Sequence, residues 1–491
     1  MNELTHLFRF DKPGLPISKA IRVAVLLLPV VAFLLRAASL DAQSLWRDEV
    51  DVIRFASWSP AELTESLWKE GHNGPLYYVL MRLWLSLAGK SEFSLRFLSV
   101  CCSVLAVVLL WQVGRKMVGP KAATIAALIV TLSPYMVWYG QDAKMYAMVS
   151  ALSLLAMLCL WRGLSGEGTK YWVGFVLAAS LAFYIHMLSA LMIGVYAAAL
   201  PIFWPDFRHR WRGWLLSLGL LTLPYLPLAA WQLPWMVRTF DTGHPEYSLR
   251  QILSLLLNLY TRGVAQVGGW IVPVLFLFAL LMGIFGPRET VRHDVRRRLF
   301  LAVWLGLPVG LVYLVSLRVP VFEPRYLIFI APAFYLLVAL GIERLQRLSI
   351  FLAGTTLAVM LSFNLLGMAV QATQPLKSDF RGAAAYVAVR RGAGEPILFQ
   401  IPYGRHTFDY YFGEGYTALE GPWTNGGQGA AQVGAELSGL LAGYDSVWYV
   451  QSESQLWDAR GLTQVWLTEH GRAVDMARFA LVDVWRYELK E

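Results

Sequence analysis

Charge is scarce along this chain. Asp, Glu, Lys and Arg make up 15% of its 491 residues, against 57% hydrophobic ones. A water-soluble domain carries about a quarter charged residues, so an ordinary soluble globule is excluded. Cysteine is scarce too, and Cys101, Cys102 and Cys159 all fall inside apolar runs without metal-ligand spacing. That excludes a disulfide framework and a cysteine-based zinc site. No internal repeat of a recognised period is present, which excludes solenoids and propellers. Basic residues outnumber acidic ones, 42 to 33, yet the arginines are scattered over short connections. No single basic face with interleaved aromatics exists, so nucleic acid is excluded as a partner.

What the chain has instead is apolar length. Mean hydropathy is +0.50, and runs of about 18 to 20 apolar residues, enough to cross a bilayer as one helix, recur. About eleven fall near 22–40, 94–113, 121–138, 145–161, 171–187, 188–204, 213–231, 270–286, 299–317, 326–342 and 350–371. The first follows Arg9, Lys12, Lys19 and Arg22 and has no small-residue cleavage site, so it reads as an uncleaved span. Basic clusters (Arg115, Lys116 and Lys121; Arg208, Arg210 and Arg212; Arg296 to Arg298; Arg344 and Arg347) alternate with mixed or acidic connections. This asymmetry places the N-terminus in the cytoplasm and an extracytoplasmic domain at 374–491. The expected fold class is a polytopic α-helical membrane protein of a bacterial cytoplasmic membrane. It has a transmembrane domain at 1–373, about eleven transmembrane helices, and a small C-terminal α/β domain that is periplasmic or extracellular.

Two stretches escape the span pattern. From Asp41 to about Lys90, acids, Trp and short apolar groups alternate, which predicts interfacial helices in the first external loop. Leu249–Thr261 reads as another. The tail alternates helix-like runs at 379–391 and 431–441 with strand-like runs at 396–401, 446–450 and 479–487.

Ionisable residues are rare inside the runs and gather at their outer ends: Asp48, Glu49 and Asp51, then Asp142 and Lys144, then His186, then Glu323 and Arg325. Placing charge at a membrane is expensive, and four separate connections supplying it on one side predict a cleft rather than four unrelated wet loops. A transporter would place such groups near the midplane on broken helices; Pro134, Pro224, Pro227 and Pro308 keep a flippase of lipid-linked glycans, or another transporter, as the alternative. A non-catalytic membrane scaffold has no use for acids converging from separate loops.

SLWRDEVDVIRFA at 44–56, GHNGPLYYVLMRLWLSLAGKSEFSLRFLSV at 71–100 and SPYMVWYGQDAKMYAMVSALSLLA at 133–156 resemble, in this order, the bacterial dolichyl-phosphate-mannose-protein mannosyltransferase-like family. That family belongs to the C-type glycosyltransferase superfamily and includes relatives of the lipid A aminoarabinose transferases. FYIHML around His186, FEPRYLIFIAP around Arg325 and SDFRGAAAYV opening the tail extend the likeness. The resemblance implies that Asp48, in the acid pair of the first external loop, acts as base or activates the acceptor. It further implies site roles for Asp142, Lys144, His186, Arg325 and Tyr326, and for His72, Pro75, Tyr77 and Tyr78 of the H-x-x-P-L-Y-Y segment. Asn73-Gly74 stands where the family often shows a second Pro.

Physical chemistry points the same way. A sugar on a polyprenyl phosphate already carries a good leaving group. What it needs is a base for the acceptor hydroxyl and a cation for the departing phosphate. Asp48 suits the first task, with Glu49 beside it as a like charge or as a helix-start acid. Arg325 and Lys144 suit the second, Arg because its fork matches phosphate oxygens. His72 and His186 add hydrogen bonds at headgroup depth, and Trp138 and Tyr139 offer rings for a sugar face. One in-line displacement inverts the anomeric centre. The expected partners are a polyprenyl-phosphate sugar donor, a glycan, lipid or protein acceptor, and the lipid bilayer. No metal site is read from ligand spacing; a divalent cation is left open as a cofactor.

Overall fold

The computed structural model describes residues 18–67, 74–237, 245–286 and 292–490. Its contacts divide the chain into two compact units. One comprises 1–38, 66–77 and 98–369; the other comprises 39–65, 78–97 and 370–491.

Among its described residues the first unit contains helices and turns and no strand. Every one of the eleven apolar runs forms a helix, though fewer are long enough to cross a bilayer. Six described helices pass on length and hydropathy, or eight if two sharply bent pairs each count as one span. Thr169–Ile185 and Ile271–Phe285 are apolar but shorter. The run expected at 121–138 is one of the bent pairs, Pro120–Leu132 and Pro134–Gly140, turning by 61°. Pro134 causes it, because proline has no N–H for the preceding turn and its ring clashes with that turn's carbonyl. Packing elsewhere is close: a Cβ on Gly341 would lie 1.8 Å from the Ala279 carbonyl oxygen, and one on Gly283 2.0 Å from that of Leu337. Ile271–Phe285 and Ala331–Leu348 therefore touch backbone to backbone, as small residues permit between apolar helices.

The second unit is built on a five-stranded mixed sheet: β1 (Ile397–Phe399), β2 (Ala418–Glu420), β3 (Ser446–Ser452), β4 (Gly471–Phe479) and β5 (Val482–Leu489), in the order β2-β1-β3-β5-β4. β1 pairs in parallel with β2 and β3, while β5 runs antiparallel to β3 and β4. β1 is buried on both faces, as a central parallel strand must be. Ile397 and Phe399 pack with Phe380, Val387, Phe408 and Trp448 on one side, and Leu398 packs with Val433, Leu437, Tyr449 and Leu467 on the other. The run at 479–487, expected as one strand, is mostly β5, and its first residues make the turn of a hairpin with β4. Ala480-Leu481 reverses the chain with Leu481 at φ +54°, and no Gly or Pro marks the place. Helices Arg47–Ser57, Pro60–Leu67 and Pro75–Ala88 run through the first inter-span segment, each too short to span.

Glu395 locks one end of this sheet. Its carboxylate accepts from Trp448 Nε1 at 2.8 Å, Ser446 Oγ at 2.8 Å and the Gly392 N–H at 2.9 Å, and pairs with Arg486. Burial opposes its ionisation, but Arg486 and these donors outweigh it and pull its pKa down to about 2. A depressed carboxyl pKa contributes stability above the unfolded value, lost as pH falls through the folded one. Thermal scans from pH 5 to 2 are expected to show the wild-type midpoint falling, and Glu395→Gln flattening that slope.

Candidate active site

In the first unit the bend at Ser133-Pro134 does the positioning. It is held by Arg36, wholly buried, whose guanidinium donates to the Val130 carbonyl at 3.1 Å, to that of Thr131 at 3.2 Å and to Ser103 Oγ at 2.7 Å. The Val130 and Thr131 carbonyls lie in the turn that Pro134 interrupts, and in an apolar setting such groups need a substitute donor. Beyond the bend come half-buried Trp138, then Tyr139, then Gln141, whose amide donates to the Arg36 and Ala38 carbonyls at 3.1 Å each. Asp142 and Lys144, both buried, occupy the short link before helix Tyr146–Leu164.

Four elements meet at that link. Tyr139 and Tyr146 have ring centroids 5.3 Å apart, and Tyr146 stacks on Tyr326 at 6.4 Å with 28° between planes. His186, where helix Thr169–Ile185 ends, lies 5.3 Å from the Tyr326 ring and 6.2 Å from that of Tyr146. The Arg325 guanidinium sits 5.9 Å from both tyrosine rings, and its Nε is 3.8 Å from Glu323. His186 is 1% exposed, yet neither ring nitrogen has a hydrogen-bond partner among the described residues. A buried polar group left so is a place prepared for something else to bind. Gly74 approaches the same corner at φ +74°, and a Cβ there would lie 2.3 Å from the Ile185 carbonyl oxygen. Glycine at 74 therefore has a steric reason.

In the second unit, Asp48 and Glu49 open helix Arg47–Ser57 but differ in surroundings. The Asp48 side chain is 18% exposed, 4.0 Å from Arg47 Nη2. Glu49 is fully buried, accepting from Arg96 Nε at 2.8 Å and Nη2 at 2.7 Å, with Lys377 Nζ at 3.0 Å. Two cations balance its charge, which offsets the like-charge effect expected at Asp48. Arg96 also donates to the Leu40, Gln43 and Ser44 carbonyls at 2.7, 2.8 and 3.0 Å. Residues 40–49 are thus wound around one guanidinium.

The structure accordingly gathers Tyr139, His186, Arg325 and Tyr326 with Tyr146, and brings Asp142 and Lys144 to the adjoining link. It sets Glu49 apart from Asp48 by turning it inward. His72 lies outside the described residues. Arg36, Arg96 and Lys377 were not picked out by sequence reasoning; for the first two the signal was an arginine within or at the start of an apolar run. Among the described residues, no group of three or more His, Cys, Asp or Glu stands placed to hold a metal ion.

A family profile described as Dolichyl-phosphate-mannose-protein mannosyltransferase matches residues 72–231. The chain is 27% identical over 233 residues to the undecaprenyl phosphate-alpha-4-amino-4-deoxy-L-arabinose arabinosyl transferase of Edwardsiella ictaluri. That match covers 45% of this chain and 41% of the relative, so the chain spans about two-fifths of that protein's length. Among solved structures, ArnT from Cupriavidus metallidurans bound to undecaprenyl phosphate superposes with a TM-score of 0.58 at 14% identity, over 94% of this chain and 97% of that one. The oligosaccharyltransferase of Archaeoglobus fulgidus, tethered with an acceptor peptide, gives 0.55 at 10% identity, over 96% and 74%. At these identities the likeness is one of fold alone: a polytopic helical membrane fold, with a small C-terminal sheet here.

Proposed function

We propose that the chain, which matches the dolichyl-phosphate-mannose-protein mannosyltransferase profile and is similar to an aminoarabinose transferase, transfers a monosaccharide from a polyprenyl phosphate to an acceptor hydroxyl, with inversion. The observation that carries this reading is the cluster of Arg325, the unsatisfied buried His186 and the Tyr146 and Tyr326 rings. A cation, a vacant hydrogen-bonding imidazole and aromatic walls suit a sugar phosphate better than a neutral solute.

In the proposed step the acceptor oxygen attacks the anomeric carbon as its proton passes to Asp48. The bond from that carbon to the phosphate oxygen breaks, and polyprenyl phosphate leaves with the electron pair. Arg325 and Lys144 take up the charge gathering on the phosphate, where preorganised cations act most strongly. His186 donates to a phosphate or sugar oxygen, while Trp138 and Tyr139 line the sugar. Asp142 either orients the acceptor or serves as the alternative base. Glu49 holds the loop that presents Asp48. The proposed reaction takes place at the outer face of the cytoplasmic membrane, with 1–373 as the transferase part and 374–491 as an extracytoplasmic domain. His72 joins the donor site, and a divalent cation stays open.

The test is transfer of label from a panel of polyprenyl-phosphate sugars into membrane extracts by the purified protein. Release of polyprenyl phosphate with label in the acceptor supports the reading. Binding of the lipid sugar without cleavage would replace it with a carrier or flippase. Arg325→Gln is expected to raise the donor KM on the order of 10- to 100-fold, the value of one charge-assisted hydrogen-bond set. Its effect on the KM for acceptor should be small.

A further inference from the structure

The parallel strands of the second unit end in an aromatic corner that the reaction above leaves unused. Tyr403 follows β1, Trp423 follows β2 and Trp457 follows β3. The Tyr403 and Trp457 rings lie 5.6 Å apart at 82°, and Trp423 and Trp457 6.2 Å apart at 48°. Tyr403 is 46% exposed and Trp423 49%. Trp457 is half-buried against both; one exposed aromatic is ordinary, but three contiguous rings contributed by the segments after three separate strands are a feature of the surface.

Their place in the topology matters. With the order β2-β1-β3, the chain leaves β1 toward β2 while β3 lies on the opposite side of β1. The crevice between the loops that follow β1 and β3 is the topological switch point, where open α/β sheets bind ligands. Tyr403, in helix Pro402–Phe412, and Trp457, in helix Ser454–Trp457, belong to the segments that follow those two strands.

The corner is rigid. Trp457 Nε1 donates to the Gly421 carbonyl at 3.0 Å, and the Trp457 carbonyl accepts from the Thr424 and Asn425 N–H groups at 3.0 and 3.3 Å. Asp458, wholly buried, accepts from Thr424 Oγ1 at 2.6 Å, the Leu462 N–H at 3.0 Å and the Thr463 N–H at 2.9 Å. Such pinning lowers the ordering penalty of binding. Polar groups adjoin it. Gln400, the residue after β1, is wholly buried, and its side-chain amide has no hydrogen-bond partner among the described residues. Glu453, the residue after β3, holds a left-handed φ of +48°, a strain that collects at ligand clamps. Arg47 lies 5.8 Å from the Tyr403 ring, with its Nε 3.3 Å from Glu453.

We propose that Tyr403, Trp423 and Trp457 form a saccharide-binding platform, and that the acceptor of this transferase is a glycan. A sugar ring presents a face of C–H bonds and a rim of hydroxyls. Crossed aromatic faces receive the first, and an amide, a carboxylate and a guanidinium receive the second. Arg47 immediately precedes Asp48, so the platform and the proposed base meet at one helix start. A lipid surface suits this corner less well, since inserted rings would protrude in parallel and would have no use for the buried amide. The inference rests on the transferase reading.

The test uses the full chain in detergent. Mannotriose, cellotriose, chitotriose and arabinotriose are titrated while saturation-transfer NMR reports sugar contact, and polyprenyl-phosphate-sugar cleavage is assayed alongside. At least one trisaccharide is expected to bind saturably. Trp423→Ala and Tyr403→Ala, both at exposed positions, should each weaken it at least 10-fold, with donor KM unchanged. Absence of binding by all four, or binding that neither variant moves, overturns the platform. Insertion into phosphatidylglycerol vesicles that Trp423→Ala abolishes, with no saccharide signal, also overturns it and assigns the corner to lipid. Saccharide binding that both variants weaken, in a protein that never cleaves the donor, keeps the platform and removes the transferase reading.

Discussion

Asp48→Asn is expected to lower kcat for sugar transfer by about 10²- to 10⁴-fold while leaving donor binding intact, the span attributed to a positioned general base. A 10³-fold loss corresponds to about 4 kcal/mol of transition-state stabilisation. The argument rests on access. Of the two adjacent acids, Asp48 keeps a partly exposed carboxylate at the start of helix Arg47–Ser57, and Glu49 does not. The amide is nearly isosteric and can still hydrogen-bond to an acceptor hydroxyl, but it cannot take the proton. Donor KM should therefore hold and the thermal midpoint should move little. Single-turnover rates with a saturating donor separate the chemical step from release. Retention of wild-type kcat in Asp48→Asn would move the base to Asp142, and Asp142→Asn would then show the loss instead. The anomeric configuration of the product, read by NMR, checks the accompanying claim of inversion.

The membrane helices were legible because their signal is length and hydrocarbon content, which no tertiary contact overrides. The bend within 121–138 was announced by Pro134 but hidden by unbroken hydropathy on both sides of it. His186, Arg325 and Tyr326 are legible as outliers of polarity or by family resemblance, and Tyr139 as a ring beside an acid; that Tyr139, His186 and Tyr326 share one aromatic cluster with Tyr146 depends on long-range packing, which no local pattern encodes. Glu49 was open to a finer reading. Glu49, Val52 and Ala56 are buried on one helical face, spaced by three and four, while Asp48 falls about 100° away. In the tail, the apolar triplet Ile397–Phe399 marked a central strand, and the hairpin at 471–489 escaped because Leu481 supplies the turn's positive φ where Gly or Asn would advertise it. Lys377 carried no signal, being one lysine in a polar stretch.

Glu49→Gln is expected to act through stability rather than proton transfer, lowering the unfolding free energy by about 3–5 kcal/mol, as removal of one partner from a buried charge cluster does. The mechanism is specific. Arg96 is 2% and Lys377 9% exposed, and Glu49 is the carboxylate both of them reach. Without it, two desolvated cations face each other across an amide. Arg96 would keep its three carbonyl acceptors in residues 40–44, so the loop should loosen rather than collapse. A shift in Asp48 of about 1 Å is enough to cost on the order of 10²-fold in rate. The variant should therefore lose thermal stability and kcat together, with trypsin cleaving within residues 39–58 before the rest of the chain. Arg96→Met should reproduce both losses, and the double variant should be less damaging than the sum of the singles, because removing both members leaves less uncompensated charge. If Glu49→Gln instead keeps the wild-type melting midpoint and digestion pattern while kcat falls, Glu49 is part of the chemistry and the buried cluster is not its purpose.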